Sequence, residues 1–298
     1  MKSCRLMIIG AGAAGLSAAV SAWNAGCRDI LLVDRALHPG GILPQCIHTG
    51  FGFAEYGVEL TGPEYAERLV SKLERTGVRV MMKTEVLSIS AEHTVVLSGY
   101  GKLEKISCER LILASGCRER AIGSLPVAGT RPAGIYTAGQ AQEMINLRHQ
   151  DLGDEVLILG GGDLGMILAR RFTLEGKHVI AVLEQAARAG GLARNYHRCL
   201  EAYSIPLRCR MTVREIHGEG RISSVTAEHL DSGEREEIPC DTLITALGLI
   251  PERQLSCGME NAEWISFAGN CFRVFDLVDS AAAQAAQVGT ENGKALSS

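Results

Sequence analysis

Three pieces of sequence near the start of the 298-residue chain decide its fold: Arg5-Leu-Met-Ile-Ile9, Gly10-Ala11-Gly12-Ala13-Ala14-Gly15, and Asp29-Ile-Leu-Leu-Val-Asp34. An apolar strand enters a glycine-rich turn, an alanine-rich helix carries the chain to about Gly26, and a second apolar strand ends in a carboxylate. Gly10 makes the turn, Gly12 lets a pyrophosphate approach the backbone, and Gly15 lets the helix pack closely on the strand. The helix start offers unpaired N–H groups and a positive dipole end to the phosphates. Asp34 stands where a carboxylate accepts hydrogen bonds from ribose hydroxyls.

One such motif is a weak signal, because glycine turns also serve plain packing. Here it occurs twice. Glu155-Val-Leu-Ile-Leu159 leads into Gly160-Gly161-Gly162-Asp163-Leu164-Gly165, a helix to about Gly176, and His178-Val-Ile-Ala-Val-Leu-Glu184. Both copies count 24 residues from first glycine to terminal acid. The repeat extends further, since Cys108-Glu-Arg-Leu-Ile-Leu-Ala-Ser-Gly116 aligns without a gap on Cys240-Asp-Thr-Leu-Ile-Thr-Ala-Leu-Gly248. A β-rich meander precedes each, Val78 to Leu97 in the first half and Ile205 to Leu230 in the second. The pattern predicts an α/β fold of two Rossmann-like dinucleotide-binding domains, each with a β-meander.

Composition agrees with two cored domains: 46% hydrophobic, 21% charged, 5% aromatic and 34 glycines. A formal charge of −4 with no long block of like charge argues against nucleic acid. The apolar run Leu6–Ala22 follows Lys2 and Arg5, as in a secretory leader, but Gly10, Gly12 and Gly15 interrupt it and a second strand follows. No membrane span is expected. Ten cysteines without a Cys-x-x-Cys pair read as reduced, buried thiols of a cytoplasmic protein with no metal site.

The arrangement resembles the two-dinucleotide-binding flavoproteins of the thioredoxin-reductase-like fold, in the pyridine nucleotide-disulfide oxidoreductase superfamily, over nearly the whole chain. The resemblance implies an FAD domain, residues 1–126 plus 246–298, with an NAD(P) domain, 127–245, inserted into it. It assigns Gly10, Gly12, Ala13, Ala14 and Gly15 to the FAD pyrophosphate, and Asp34, with Arg35 beside it, to the adenosine ribose. Gly40, Gly41 and Ile42 fall beside the flavin, and the backbone around Val86 meets the adenine. Ala114-Ser115-Gly116 is the crossover into the second domain, and Gly269-Asn270 the last FAD motif. Gly160, Gly162, Asp163, Leu164 and Gly165 take NAD, Glu184 binds its ribose, and Gly248 marks the return.

A narrower likeness rests on Gly40-Gly-Ile-Leu-Pro-Gln-Cys-Ile-His-Thr-Gly-Phe-Gly52, Glu59-Leu-Thr-Gly-Pro-Glu-Tyr65, Gly116-Cys-Arg-Glu-Arg120, Gly129-Thr-Arg-Pro-Ala-Gly-Ile-Tyr-Thr-Ala-Gly139 and Gly161-Gly-Asp-Leu-Gly-Met-Ile-Leu-Ala-Arg-Arg171. These stretches are similar to the FAD/NAD oxidoreductases found beside glycerol-3-phosphate dehydrogenases, and to the flavin subunits of opine oxidase, sarcosine oxidase and hydrogen cyanide synthase. The likeness implies a protein partner that carries the substrate chemistry, and leaves the oligomeric state open.

The implied reaction is hydride transfer between a nicotinamide and FAD, with electrons relayed to or from the partner or a small-molecule acceptor. Glu184 favours NAD, because a carboxylate accepts a 2′-hydroxyl and repels a 2′-phosphate; Arg188 keeps NADP as the alternative. Disulfide reductases of this fold carry a cysteine pair, yet Tyr136-Thr-Ala-Gly139 has none where one variant would place it. Cys46 lies near the expected flavin with His48 two residues on, and an imidazolium beside a thiol would lower its pKa. A Cys46-dependent thiol, disulfide or peroxide reductase is therefore a second reading, weighed against a buried cysteine whose histidine neighbour bonds flavin or backbone. A non-catalytic nucleotide-binding subunit is a third, prompted by 251–267, about twenty residues shorter than the usual segment. Asn270 also stands where many relatives carry Asp. Arg118-Glu119-Arg120 reads as a phosphate clamp or a salt-bridged turn, residues 281–288 as the start of a closing helix, and 291–298 as a frayed tail.

Overall fold

A computed structural model describes residues 2–297. The chain divides into two compact units, Met1–Arg118 with Ile250–Ser298, and Glu119–Leu249. The sequence reading places these boundaries at 126/127 and 245/246. Side-chain partners explain the structural division. Arg118 Nε pairs with Glu252 of the first unit at 3.3 Å, whereas Glu119 accepts hydrogen bonds from Thr137 Oγ1 and, at 2.7 Å, from Gly139 N in the second.

The first unit begins with β1 (Lys2–Ile9), α1 (Ala13–Asn24), β2 (Ile30–Val33), α2 (Gly62–Glu74), β3 (Arg79–Met81), β4 (Thr84–Ser90), β5 (Thr94–Gly99) and β6 (Lys102–Leu113). The second holds β7 (Ile135–Thr137), α3 (Ala138–Asn146), β8 (Glu155–Leu159), α4 (Asp163–Leu174), β9 (His178–Glu184), β10 (Leu207–Cys209), β11 (Met211–Gly218), β12 (Ile222–His229), β13 (Arg235–Pro239) and β14 (Thr242–Thr245). The return to the first unit adds β15 (Ile265–Phe267) and α5 (Val278–Ala295).

Unit 1 is built on one sheet in the order β3-β2-β1-β6-β5-β4, with β15 also paired to β6. Ile8 aligns with Leu32 on one side and Ile112 on the other, all parallel. All four residues of β2 and the last four of β1 are buried, as strands covered on both faces require. After Pro251, the last residue of the short strand Leu249–Pro251, the segment supplies only turns and a 3₁₀ turn before β15, which seats Ala268-Gly269-Asn270 beside the C-terminal end of β6.

The second unit separates what the first joins. Its parallel sheet runs β7-β14-β8-β9-β10, and its meander forms another sheet with Ala128–Gly129, β11, β12 and β13. The long β6 serves both parts of unit 1, while its counterpart is split between β13 and β14. Pro239 ends β13 and has no N–H to donate; one further backbone bond, from Cys240 N to Ser223 O at 3.1 Å, follows before β14 begins.

The closing helix departs from the frayed tail expected at 291–298. Helix α5 runs to Ala295 and lies along α1: a Cβ at Gly289 would stand 2.2 Å from Ala18 O, and one at Gly293 2.6 Å from Ala22 O. These glycines thus permit a close helix crossing. Leu296 is buried and its carbonyl accepts from Arg5 Nη1 at 2.6 Å, which fixes the end of the segment; Ser298 lies outside the described residues. Among the described residues no helix is long and apolar enough to cross a membrane.

Candidate dinucleotide sites

The glycines sit where the parallel strands of each unit end. Gly10 has φ +105°, and a Cβ there would be 2.3 Å from Ala114 O. Gly160 has φ +118°, and its Cβ would be 2.2 Å from Ala246 O. Both positions exclude a side chain by conformation and by space. At the third motif glycine a Cβ would meet the first glycine's carbonyl oxygen, 1.7 Å away for Gly15 and 2.1 Å for Gly165. The middle glycines differ in kind: Gly162 has open space where a Cβ would point, and Gly12 has only Gly41 Cα at 3.7 Å. Helices α1 and α4 start at Ala13 and Asp163, and no side chain caps either start. A middle glycine without a side chain and a helix start without a side-chain cap fit a pyrophosphate.

Each terminal acid ties its own loop. Asp34 Oδ2 accepts from Ala11 N at 2.6 Å and Oδ1 from Ala36 N at 2.7 Å. Glu184 repeats this, with Oε2 on Gly161 N at 2.7 Å and Oε1 on Ala186 N at 2.8 Å. Charge-assisted bonds from two backbone donors hold each carboxylate at the strand end.

The same equivalence reveals a feature that the sequence reading missed. Gly40 N donates to Ala11 O at 2.8 Å, and Gly190 N to Gly161 O at 3.0 Å. Gly190-Gly191 is the counterpart of Gly40-Gly41, both 150 residues apart, so each unit carries a glycine arm folded back on its loop. A Cβ at Gly41 would stand 2.9 Å from Gly12 Cα; one at Gly191 would stand 2.7 Å from Asp163 N. A second Gly-Gly at the same distance from the motif was the available signal.

Of the other first-unit residues, Ala14 and Gly269 meet, a Cβ on Gly269 lying 2.4 Å from Ala14 Cβ, which joins the last motif to the start of α1. Val86 is buried in β4, which is drawn to the acid by Thr84 N bonding Asp34 O at 2.9 Å. Arg35 is exposed, 3.9 Å from Glu85, and Ile42 is 66% exposed beside the arm. Ser115 Oγ donates to Glu252 O at 2.7 Å, and Gly116 at φ +74° and Gly248 at φ +93° have open space where a Cβ would point. The Asn270 amide is engaged at both ends, its Oδ1 accepting from Phe275 N at 3.0 Å and its Nδ2 lying 3.6 Å from Cys117 Sγ. In unit 2, Leu164 packs partly buried against the core.

The lowered Cys46 pKa expected from His48 is corrected by the structure. Cys46 is buried, its Sγ donates to Ile42 O at 3.4 Å, and loss of solvent pushes the thiol up to about 12. Gly62 covers it: a Cβ there would be 2.8 Å from Cys46 Cβ. The His48 ring pairs with Thr49 O at 3.1 Å and lies 5.0 Å from the Phe51 ring.

Residues 4–285 match the family model of the pyridine nucleotide-disulphide oxidoreductases. The chain belongs to this family. It is an oxidoreductase of the kind that uses a flavin and a pyridine nucleotide. It is similar to a thioredoxin reductase of Treponema pallidum, 27% identical across 83% of this chain and 76% of that protein. It is also similar to hydrogen cyanide synthase subunit HcnB of Pseudomonas aeruginosa, 28% identical across 85% of this chain; it spans only 58% of that relative. Among solved structures, thioredoxin reductase of T. acidophilum shares the fold, with a TM-score of 0.77, 19% identity and coverage of 100% and 98% of the two chains.

Proposed function

We propose that the chain is an NADH-linked, FAD-dependent oxidoreductase in which unit 1 holds FAD and unit 2 binds NADH. The observation that carries this reading is the matched pair of loops, each with its acid bonded back onto the second loop residue. FAD, when bound, accepts hydride from a nicotinamide and passes electrons onward. The chain's own residues bind and orient: Gly10, Gly12 and Gly15 make room for the pyrophosphate, the first amides of α1 face it, and Asp34 fixes the ribose end. Glu184, held by two backbone amides, is set to accept from a 2′-hydroxyl and to repel a 2′-phosphate, which supports NADH over NADPH. Likeness to HcnB, itself named as a subunit, supports electron relay to or from a partner protein rather than substrate chemistry on this chain alone.

Anaerobic addition of NADH to yellow, flavin-loaded protein should bleach the visible flavin band rapidly, and NADPH should do so more slowly. Protein that is colourless and cannot be reconstituted with FAD would sink the reading.

A further inference from the structure

The loops match, but the residue that follows the middle glycine differs. In unit 1 it is Ala13; α1 has no acidic residue in its first turn, and among the described residues the arm's Ile42 N–H has no acceptor. In unit 2 the same places hold Asp163, the first residue of α4, and Leu192. Asp163 Oδ1 accepts from Leu192 N at 2.7 Å and from Asn195 Nδ2 at 2.7 Å. The arm is closed over the helix start by this carboxylate, and a Cβ on Gly191 would stand 2.4 Å from its Oδ1. A carboxylate and a phosphate are the same kind of ligand for such donors: anionic oxygens favoured at a helix N-terminus.

We propose that Asp163 is an internal substitute for a coenzyme phosphate, and that it keeps the affinity of unit 2 for pyrophosphate low, so that the coenzyme exchanges. The inference rests on unit 2 being the pyridine-nucleotide site. A phosphate that takes the Leu192 N–H must first displace Asp163, and the released carboxylate then repels it. Asp163 is thus a positioning residue for the arm and sets how tightly the site closes. Unit 1 has no such competitor.

The test is calorimetric titration of the full, flavin-loaded chain with ADP-ribose, which carries the pyrophosphate but no reactive nicotinamide. Asp163→Ala should bind roughly tenfold tighter than the unmodified chain. Asn195→Ala, which removes one donor of the latch without touching α4, should tighten binding by a smaller factor. Asp163→Asn, which removes the charge but keeps an acceptor, should also bind more tightly and guards against misfolding of the alanine variant. In NADH turnover the tighter variants should show a lower KM together with a lower kcat, a split that a merely structural defect would not produce. Equal or weaker ADP-ribose binding in the folded variants overturns the proposal. No ADP-ribose binding by the unmodified chain and all variants overturns the assignment of unit 2 instead.

Discussion

Gly40 is buried and Gly190, its counterpart 150 residues on, is exposed, although both bond back to the same atom of equivalent loops. The next residues widen the difference. Leu43 and Cys46 are sunk beneath α2, where a Cβ at Gly62 would be 2.3 Å from Leu43 O, while Ala193 and Arg194 face solvent. Loop geometry follows from the glycines and the acid, which the units share. How firmly the arm is held follows from what packs on it: apolar burial in unit 1, the Asp163 carboxylate together with the buried Met166 in unit 2. Burial is broken only by opening the core, whereas a hydrogen-bonded carboxylate exchanges with a competing anion.

The largest effect is expected where the units are alike. Gly10→Ala and Gly160→Ala each force a Cβ into a carbonyl oxygen at positive φ, and each should cost more than about 3 kcal/mol. Thermal denaturation of the two variants should show comparable losses; native-like melting of either would remove the equivalence of the loops. Where the arms differ, Leu43→Ala should lose about 2–4 kcal/mol through an unfilled cavity, and Ala193→Ser should stay within about 0.5 kcal/mol. Equal urea midpoints for that pair would contradict the difference between an arm anchored by a buried leucine and one whose following residues face solvent.

Alkaline pH separates the units more gently. Cys4, Cys46 and Cys108 in unit 1 and Cys240 in unit 2 are each pushed up to about 12 by burial. Because the folded pKa lies above the ordinary 9.0, the stabilisation is complete below pH 9 and is lost as pH climbs from there toward 12. Trp23 and Trp264 both belong to unit 1, so the urea midpoint read by tryptophan fluorescence should fall further between pH 8 and pH 10 than the midpoint read by backbone circular dichroism. Equal shifts would place the alkaline weakness elsewhere. The smallest effect concerns Cys46 itself: Cys46→Ser should leave NADH-driven flavin reduction unchanged, and iodoacetamide should label exposed Cys257 well before Cys46.

What was legible in the sequence was local and periodic. Strand, glycine turn, helix and acid follow one another within a single βαβ unit, so spacing alone located Gly10 to Asp34 and Gly160 to Glu184. The gapless alignment of Cys108–Gly116 on Cys240–Gly248 likewise pointed to matching strand ends, and Ala114 and Ala246 prove to abut the two first glycines. The rest depended on contacts between distant residues. Cys46 could be read as a redox thiol or as a buried cysteine from the nearness of His48 alone, and its environment is set by Gly62 arriving with α2. Residues 291–298 read as a frayed tail, yet the helix continues to Ala295 because Gly289 and Gly293 let it approach Ala18 and Ala22 of α1. Gly190-Gly191 went unread because the apolar anchor that follows Gly40-Gly41 is missing there.

The first unit is made of two stretches of chain, and its helix α1 is covered by a helix some 260 residues later in the sequence. A polypeptide emerges from the ribosome N-terminus first, at about 5–20 residues per second. The inserted unit, complete at Leu249, therefore has all its strands before the unit that began ahead of it. Until Val278–Ala295 appears, the α1 surface around Ala18 and Ala22 lacks its cover. The order of synthesis and the order of completion are opposite: the loop at Gly160 can close while the one at Gly10 still awaits its last helix.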